Sequence, residues 1–217
     1  MGREARALFQ DDDINAASSG DSCYNWESLF TSTQPSEQQL RVLLERNKDA
    51  PFSYAEVGAS RSGPPPPGYN VDRYRVRLGR GLAVLEKARR AFESWAMFDL
   101  GWVSVFPRDV KIQPGNLVAV VVSHFGFWSV NISRIVFVED SHCFAYGTLH
   151  EHAERGEEKF TLALDPSDDS VWYDVLAFSK PRHPLAKIGY PLSRALQKRF
   201  ARDSMAAMRV RSRNDST

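Results

Sequence analysis

From Trp102 onward, apolar and polar residues alternate in short runs: WVSVF, LVAVVVSH, SVNISRIVFVE, CFAYGTL, KFTLAL and VWYDVLAFS. A period of two is the mark of a half-buried strand. It predicts strands over Trp102–Phe106, Leu117–His124, Ser129–Glu139, Cys143–Leu149, Lys159–Leu164 and Val171–Ser179. Turn signals part them at Pro114-Gly115, Gly126, Asp140-Ser141, Arg155-Gly156 and Asp165–Ser170. Strands joined by such short connections form an antiparallel meander. Upstream, Tyr69–Leu78 reads as one more strand, stopped by Gly79 and Gly81.

Two stretches carry helical spacing instead. Leu82, Leu85, Ala88, Phe92 and Trp95 mark a helix over Leu82–Phe98. Leu192, Leu196, Phe200, Met205 and Met208 mark a long one from Pro191 to Arg211, with the proline at a first-turn position. A shorter helix is expected near Leu40, Leu43 and Leu44, opened by Ser36 and Gln39 at capping-box spacing and ended before Pro51.

The order is strand, helix, about six strands, long helix. A curved antiparallel sheet has to cover its apolar face, and wrapping a long helix does so while leaving room for a cavity. The expected fold class is α+β, a START-like helix grip of six to seven strands, with a smaller helix after the first strand. The expected organisation is an acidic, Ser-rich flexible arm over 1–34, a helix and Pro-rich connector over 35–68, the helix-grip domain over 69–211 and a tail over 212–217.

Composition narrows the classes. The chain has 217 residues, enough for a full core without disulfide or metal staples. Its net charge of +1 gives no polyanion-binding signature, so no nucleic acid is expected. Cys23 and Cys143 have neither metal nor disulfide-framework spacing, and no cofactor is expected. No apolar run approaches a bilayer-spanning length, and Asp11–Asp13 are unlike a secretory leader, so a soluble, cytoplasmic setting is expected.

Several ordered motifs now stand together: FSYAEVG (Phe52–Gly58), GYNVDRYRVRLGRG (Gly68–Gly81), SRIVFVED (Ser133–Asp140), FAYGTL (Phe144–Leu149), His152, RGEEKF (Arg155–Phe160), VWYDVLAFSKP (Val171–Pro181) and GYPLSRALQKRFARDS (Gly189–Ser204). Over residues 52–208 the chain resembles the UPF0548 family, built on the domain of unknown function numbered 1990. That resemblance implies a fold and supplies no reaction. Where the family has a small or neutral pair before its histidine, this chain has His150-Glu151, so any histidine role falls first to His152.

The candidate chemistry follows from strand parity. Glu157 and Glu158 are adjacent, so a regular strand sends them to opposite faces. Glu158 shares parity with Phe160, Leu162 and Leu164 and is expected inside, with Arg134 as its partner. It is either half of a structural ion pair or a polar anchor or acid/base group in the cavity. Tyr146, with Phe144 and Thr148, is expected to line the same cavity, with Tyr173 and Gln197 as further lining residues. His152 is a rim residue that orders its own turn or moves a proton; His150 and His152 lack a third metal ligand of fixed spacing.

The leading expectation is a protein that binds a small apolar or amphipathic, lipid-like ligand in an internal cavity. The alternatives are a cavity enzyme of the cyclase or hydrolase type, and an adaptor making weak contact with an anionic membrane surface. The adaptor would act through the basic final helix, with Arg194, Lys198, Arg199, Arg202, Arg209 and Arg211.

Overall fold

The computed structural model describes residues 30–150, 152, 154–181 and 190–213. Its strands are β1 (Phe30–Thr31), β2 (Asn70–Arg80), β3 (Val103–Phe106), β4 (Leu117–His124), β5 (Phe127–Glu139), β6 (Cys143–Thr148), β7 (Glu154–Leu164) and β8 (Ser170–Pro181). Its helices are α1 (Glu37–Arg46), α2 (Leu82–Glu93) and α3 (Tyr190–Ser212), with a short 3₁₀ turn at Ala96–Phe98. The strands form one antiparallel sheet in the order β2-β8-β7-β6-β5-β4-β3, and β1 adds to the free edge of β5. The chain is thus an α+β helix grip, with the expected meander and final helix.

The inner face of the sheet carries the main core. Val76, Val105, Val120, Phe144, Phe160, Leu162, Tyr173 and Val175 pack there against α2, the 3₁₀ turn and α3. α2 closes over this face because Val84, Leu85, Ala88, Ala91 and Phe92 recur on one side of it. The outer face is covered by α1 over β4 and β5, where Leu40 meets Phe106, Ala119, Val121 and Ile132. The expected capping box opens α1: Gln39 N donates to Ser36 Oγ at 3.3 Å, and Ser36 N to Gln39 Oε1 at 2.8 Å.

Three expectations about elements are corrected. The helix begun at Leu82 ends at Glu93, because Trp95 takes a left-handed φ of 57° and swings its ring into the core; the chain resumes as the 3₁₀ turn. β7 begins at Glu154 rather than Lys159, so Arg155-Gly156 is strand and not turn. Gly156 is glycine because an added Cβ would lie 1.9 Å from the carbonyl oxygen of Phe178. On α3 the expected stripe holds at Phe200, Met205 and Met208, which pack on the core, but Leu192 is 44% exposed and the helix also buries Ala201, Ser204 and Ser212. Small residues let the helix approach the sheet closely, and Ser204 Oγ meets Tyr173 Oη at 3.0 Å.

Adjacent glutamates do separate work. Glu157 points outward and is buried beneath the segment that follows α1. It accepts three hydrogen bonds, from Tyr54 Oη at 2.7 Å, Gly58 N at 2.8 Å and Ser60 N at 2.9 Å. Three donors aimed at one carboxylate offset its loss of water and clamp the 54–60 segment to the sheet. Tyr54 fits because Gly147 lies under it: a Cβ there would stand 2.1 Å from the Tyr54 hydroxyl.

Glu157→Gln replaces an acceptor with a donor and leaves one of these buried groups unmatched. Its expected cost is about 1–3 kcal/mol in urea unfolding, with earlier proteolytic cleavage in 54–60. Gly147→Ala should be destabilising by a similar amount, since Tyr54 has to leave its bond to Glu157 to admit the methyl group.

Candidate functional site

The alternation that sends Glu157 out turns Glu158 in. β6 and β7 are in register at Tyr146↔Glu158, so the two side chains stand side by side on the inner face. Tyr146 Oη donates to Glu158 Oε2 at 2.5 Å. Glu158 keeps a little surface, yet protein surrounds it densely. Loss of hydration pushes its carboxyl up to about 7, against the pull of the Tyr146 bond, and the nearby Glu154 and Asp72 carboxylates add to the rise. Burial likewise drives the Tyr146 hydroxyl well above its ordinary range, with the Glu158 charge next in importance.

Around this pair the wall is aromatic. Phe98 packs 6.0 Å from Tyr146, 5.6 Å from Phe160 and 5.0 Å from Phe200 between ring centroids, and Phe144 stacks on Phe160 at 5.1 Å. These rings pack between sheet and helices, where an internal cavity is expected. Two concavities of about 420 and 620 Å³ lie instead on the outer side, over β2, β7 and β8 beside Arg73, Arg75 and Lys159, and beside the start of α1.

Towards the start of α3 the lining becomes polar. Arg194 grips Asp72 of β2 with both guanidinium nitrogens, Nη2 standing 2.6 Å from Oδ1. Gln197 Nε2 donates to Glu154 Oε2 and Ser193 Oγ to Glu154 Oε1, each at 2.6 Å, and Arg194 Nη1 reaches Gln197 Oε1 at 2.7 Å. The first half of α3 is therefore tied down by polar pairs, and its second half by apolar packing through Ala201 and Met208.

The structure brings Tyr146 and Glu158 into contact and sets Gln197 in the polar network beside them. Tyr173 is fully buried on the same face, bonded to Ser204 deeper along α3. His152 closes the turn before β7, with its N–H on Leu149 O at 3.1 Å and its Nδ1 accepting from Glu154 N at 3.0 Å. Arg134 is not the partner of Glu158. It lies on the outer face, donating to the carbonyls of Asn47 and Lys48 at 3.1 and 2.7 Å, and stacks over Phe52. The reason is register: Arg134 pairs with Gly147, which pairs with Glu157, so Arg134 continues the outward alternation of Val130 and Ile132 and lies on the face opposite Glu158. Asp72, Glu154 and Ser193 were not among the expected residues. Asp72 is 122 residues from Arg194, and Glu154 is 43 from Gln197, so no local pattern announces them.

Comparison with known proteins agrees with this architecture. The model of the domain of unknown function DUF1990 matches residues 53–207. A UPF0548 protein of Deinococcus radiodurans is 34% identical over 189 residues, covering 80% of this chain and 94% of the relative. Among solved structures, the Zhui aromatase/cyclase from Streptomyces sp. R1128 matches with a TM-score of 0.50 at 10% identity, over 66% of this chain and 93% of that one. A START superfamily protein from Mycobacterium smegmatis matches at 0.46 and 12% identity, over 67% and 97%. At 10% identity the aromatase/cyclase structure speaks for the fold alone. With its matched motifs, its relatives and its curved sheet closed on a final helix, this chain belongs to the DUF1990 family, known also as UPF0548.

Proposed function

We propose that this protein binds a small hydrophobic or amphipathic ligand between the inner face of its sheet and the first half of α3. The observation that carries this reading is the Tyr146–Glu158 pair, a polar couple kept at a desolvation cost within an aromatic wall. A ligand pocket has this make-up: apolar and aromatic walls with a few polar groups that fix orientation.

The rings that pack there imply that binding is coupled to opening. The first half of α3 is held by hydrogen-bonded polar pairs, whereas its second half is anchored in the apolar core. Lifting the end that holds Ser193, Arg194 and Gln197 would uncover Phe200, Phe98 and Glu158 without unfolding the domain. Cys143, a buried free thiol, suits the proposed reducing, cytoplasmic setting. No described helix is long and apolar enough to cross a membrane.

The same pair favours a second reading, a cavity enzyme. A carboxyl that titrates near neutrality beside a tyrosine hydroxyl is suited to general acid–base work on an apolar substrate.

Native mass spectrometry of gently purified protein, before and after exposure to a total lipid and metabolite extract, is expected to show one bound small molecule per chain. Glu158→Gln and Tyr146→Phe should weaken that adduct by about tenfold, the loss of one buried hydrogen bond to a charged group. Protein that stays bare, or an adduct that neither change affects, would overturn the reading.

The pH dependence has a definite sign. A carboxyl raised in the folded state holds its proton there after the unfolded chain has lost it, so stability falls as pH rises from about 4.5 to about 7. The penalty is absent below this window and complete above it, at most about 3 kcal/mol. Glu158→Gln removes it: the variant should gain thermal stability relative to the parent at pH 8 and gain none at pH 4.5. An equal gain at both would show that Glu158 titrates as an ordinary carboxyl.

A further inference from the structure

The tip of the β4–β5 hairpin breaks two local rules at once. His124 pairs with Phe127, so the connection is the two-residue turn Phe125-Gly126, with φ of 50° and 80°. Turns with positive φ at both central positions favour Asn or Asp before Gly, because a larger side chain is strained there. This chain places phenylalanine at that position and leaves it 74% exposed, with the neighbouring Phe127 at 53%. Neither the strain nor the exposed rings bring a gain in packing within the described fold. Phe125 touches only the flank of the partly buried His124 ring, 6.3 Å away between centroids.

The hairpin also projects. β6 leaves β5 at Ser133↔Thr148, but β1 edges β5 at Trp128 and Ser129 and β3 edges β4 as far as Val122, so residues 124–127 form the tip that extends past the neighbouring strands. The antiparallel order puts this tip at the same end of the sheet as the start of β7, the start of β2 and the start of α3. Phe127 shares parity with Ser129, while Val130 and Ile132 belong to the outer cluster, so Phe127 belongs to the inner side. Next to the tip, the Trp102 carbonyl accepts from Ser123 N at 2.7 Å, and the Arg199 guanidinium lies over the Trp102 ring at 4.1 Å. Lys198, Arg199 and Arg202 are exposed on this stretch of α3, and Asp203 is the carboxylate that pairs with both arginines. Positive charge is therefore in excess there.

We propose that this hairpin is a membrane-docking prong: Phe125 and Phe127 enter the interfacial layer of an anionic bilayer, and Lys198, Arg199 and Arg202 face its headgroups. Aromatic rings prefer the membrane–water interface, and basic side chains gain from anionic lipid beside it. A second protein chain fits less well. Two rings on a narrow prong offer far less than the roughly 1,000 Å² that a stable protein interface buries. The exposed Lys198, Arg199 and Arg202, beside Trp102 and the hairpin, place the contact on the hairpin and the middle of α3, whereas Arg194 is partly buried against Asp72. Docking would also turn the opening beside α3 towards the bilayer. That consequence rests on the proposed ligand site; the docking itself does not.

The test is sedimentation of the full chain with phosphatidylcholine vesicles, with and without phosphatidylserine at about one third of the lipid. The protein should pellet with the anionic vesicles and be released as salt rises. The double change Phe125→Asn, Phe127→Thr should reduce binding by about tenfold or more. It should leave the melting temperature unchanged or higher, because Asn-Gly suits the turn and threonine suits a strand. A single Phe125→Trp variant should show a blue-shifted emission on binding and quenching by brominated acyl chains. A parent that does not pellet, binding indifferent to salt, or a double variant that binds as well as the parent would each overturn the proposal. So would a double variant that loses a concentration-dependent dimer but keeps its vesicle binding, which would make the tip a protein contact.

Discussion

The stack of aromatic rings between the sheet and its helices is the contact on which the remainder of this structure depends. Phe144 and Phe160 lie face to face on neighbouring strands, and Phe92, Trp95 and Phe98 close over them from α2 and the 3₁₀ turn. Rings of this size supply much of the buried apolar area of a domain and prefer offset or edge-on contacts, which fixes how near the helices come. At the left-handed Trp95 the chain leaves the helix, and the Trp95 ring meets Phe144 while Phe98, in the following 3₁₀ turn, meets Phe160. The same packing places the Tyr146–Glu158 pair at the margin between rings and polar network.

Two neighbouring carboxylates illustrate how a strand divides labour. Glu157 receives three donors and holds the segment after α1 on the outer face. Glu158 receives one short bond and carries the electrostatic burden of Asp72 and Glu154 nearby. One is held by three donors on the outer face; the other faces the interior and keeps a little surface.

Much of this was legible along the chain. Alternation located the meander, the capping box located α1, and parity separated Glu157 from Glu158, since each depends on backbone geometry repeated every few residues. Tyr146 was legible for the same reason. The errors share one cause, a contact between distant parts of the chain. Arg134 follows the outward alternation of Val130 and Ile132 and meets the end of α1, a distant contact that no local pattern showed. Gly156 looked like a turn and proved to be a strand position where two backbones come close. The apolar stripe on α3 pointed to Leu192 and Leu196, whereas close approach to the sheet selected Ala201 and Ser204.

The sequence by itself determined the element order, the antiparallel sheet gripping a final helix, and which of two adjacent carboxylates turns inward. These follow from short-range periods that the backbone imposes wherever it folds. Only the tertiary structure decided which residues meet: Tyr146 with Glu158, Arg194 with Asp72, Gln197 with Glu154, and Glu157 with the 54–60 segment. Partners 12 to 122 residues apart carry no signal in their spacing, because their encounter depends on sheet register and on how closely α3 settles against the inner face.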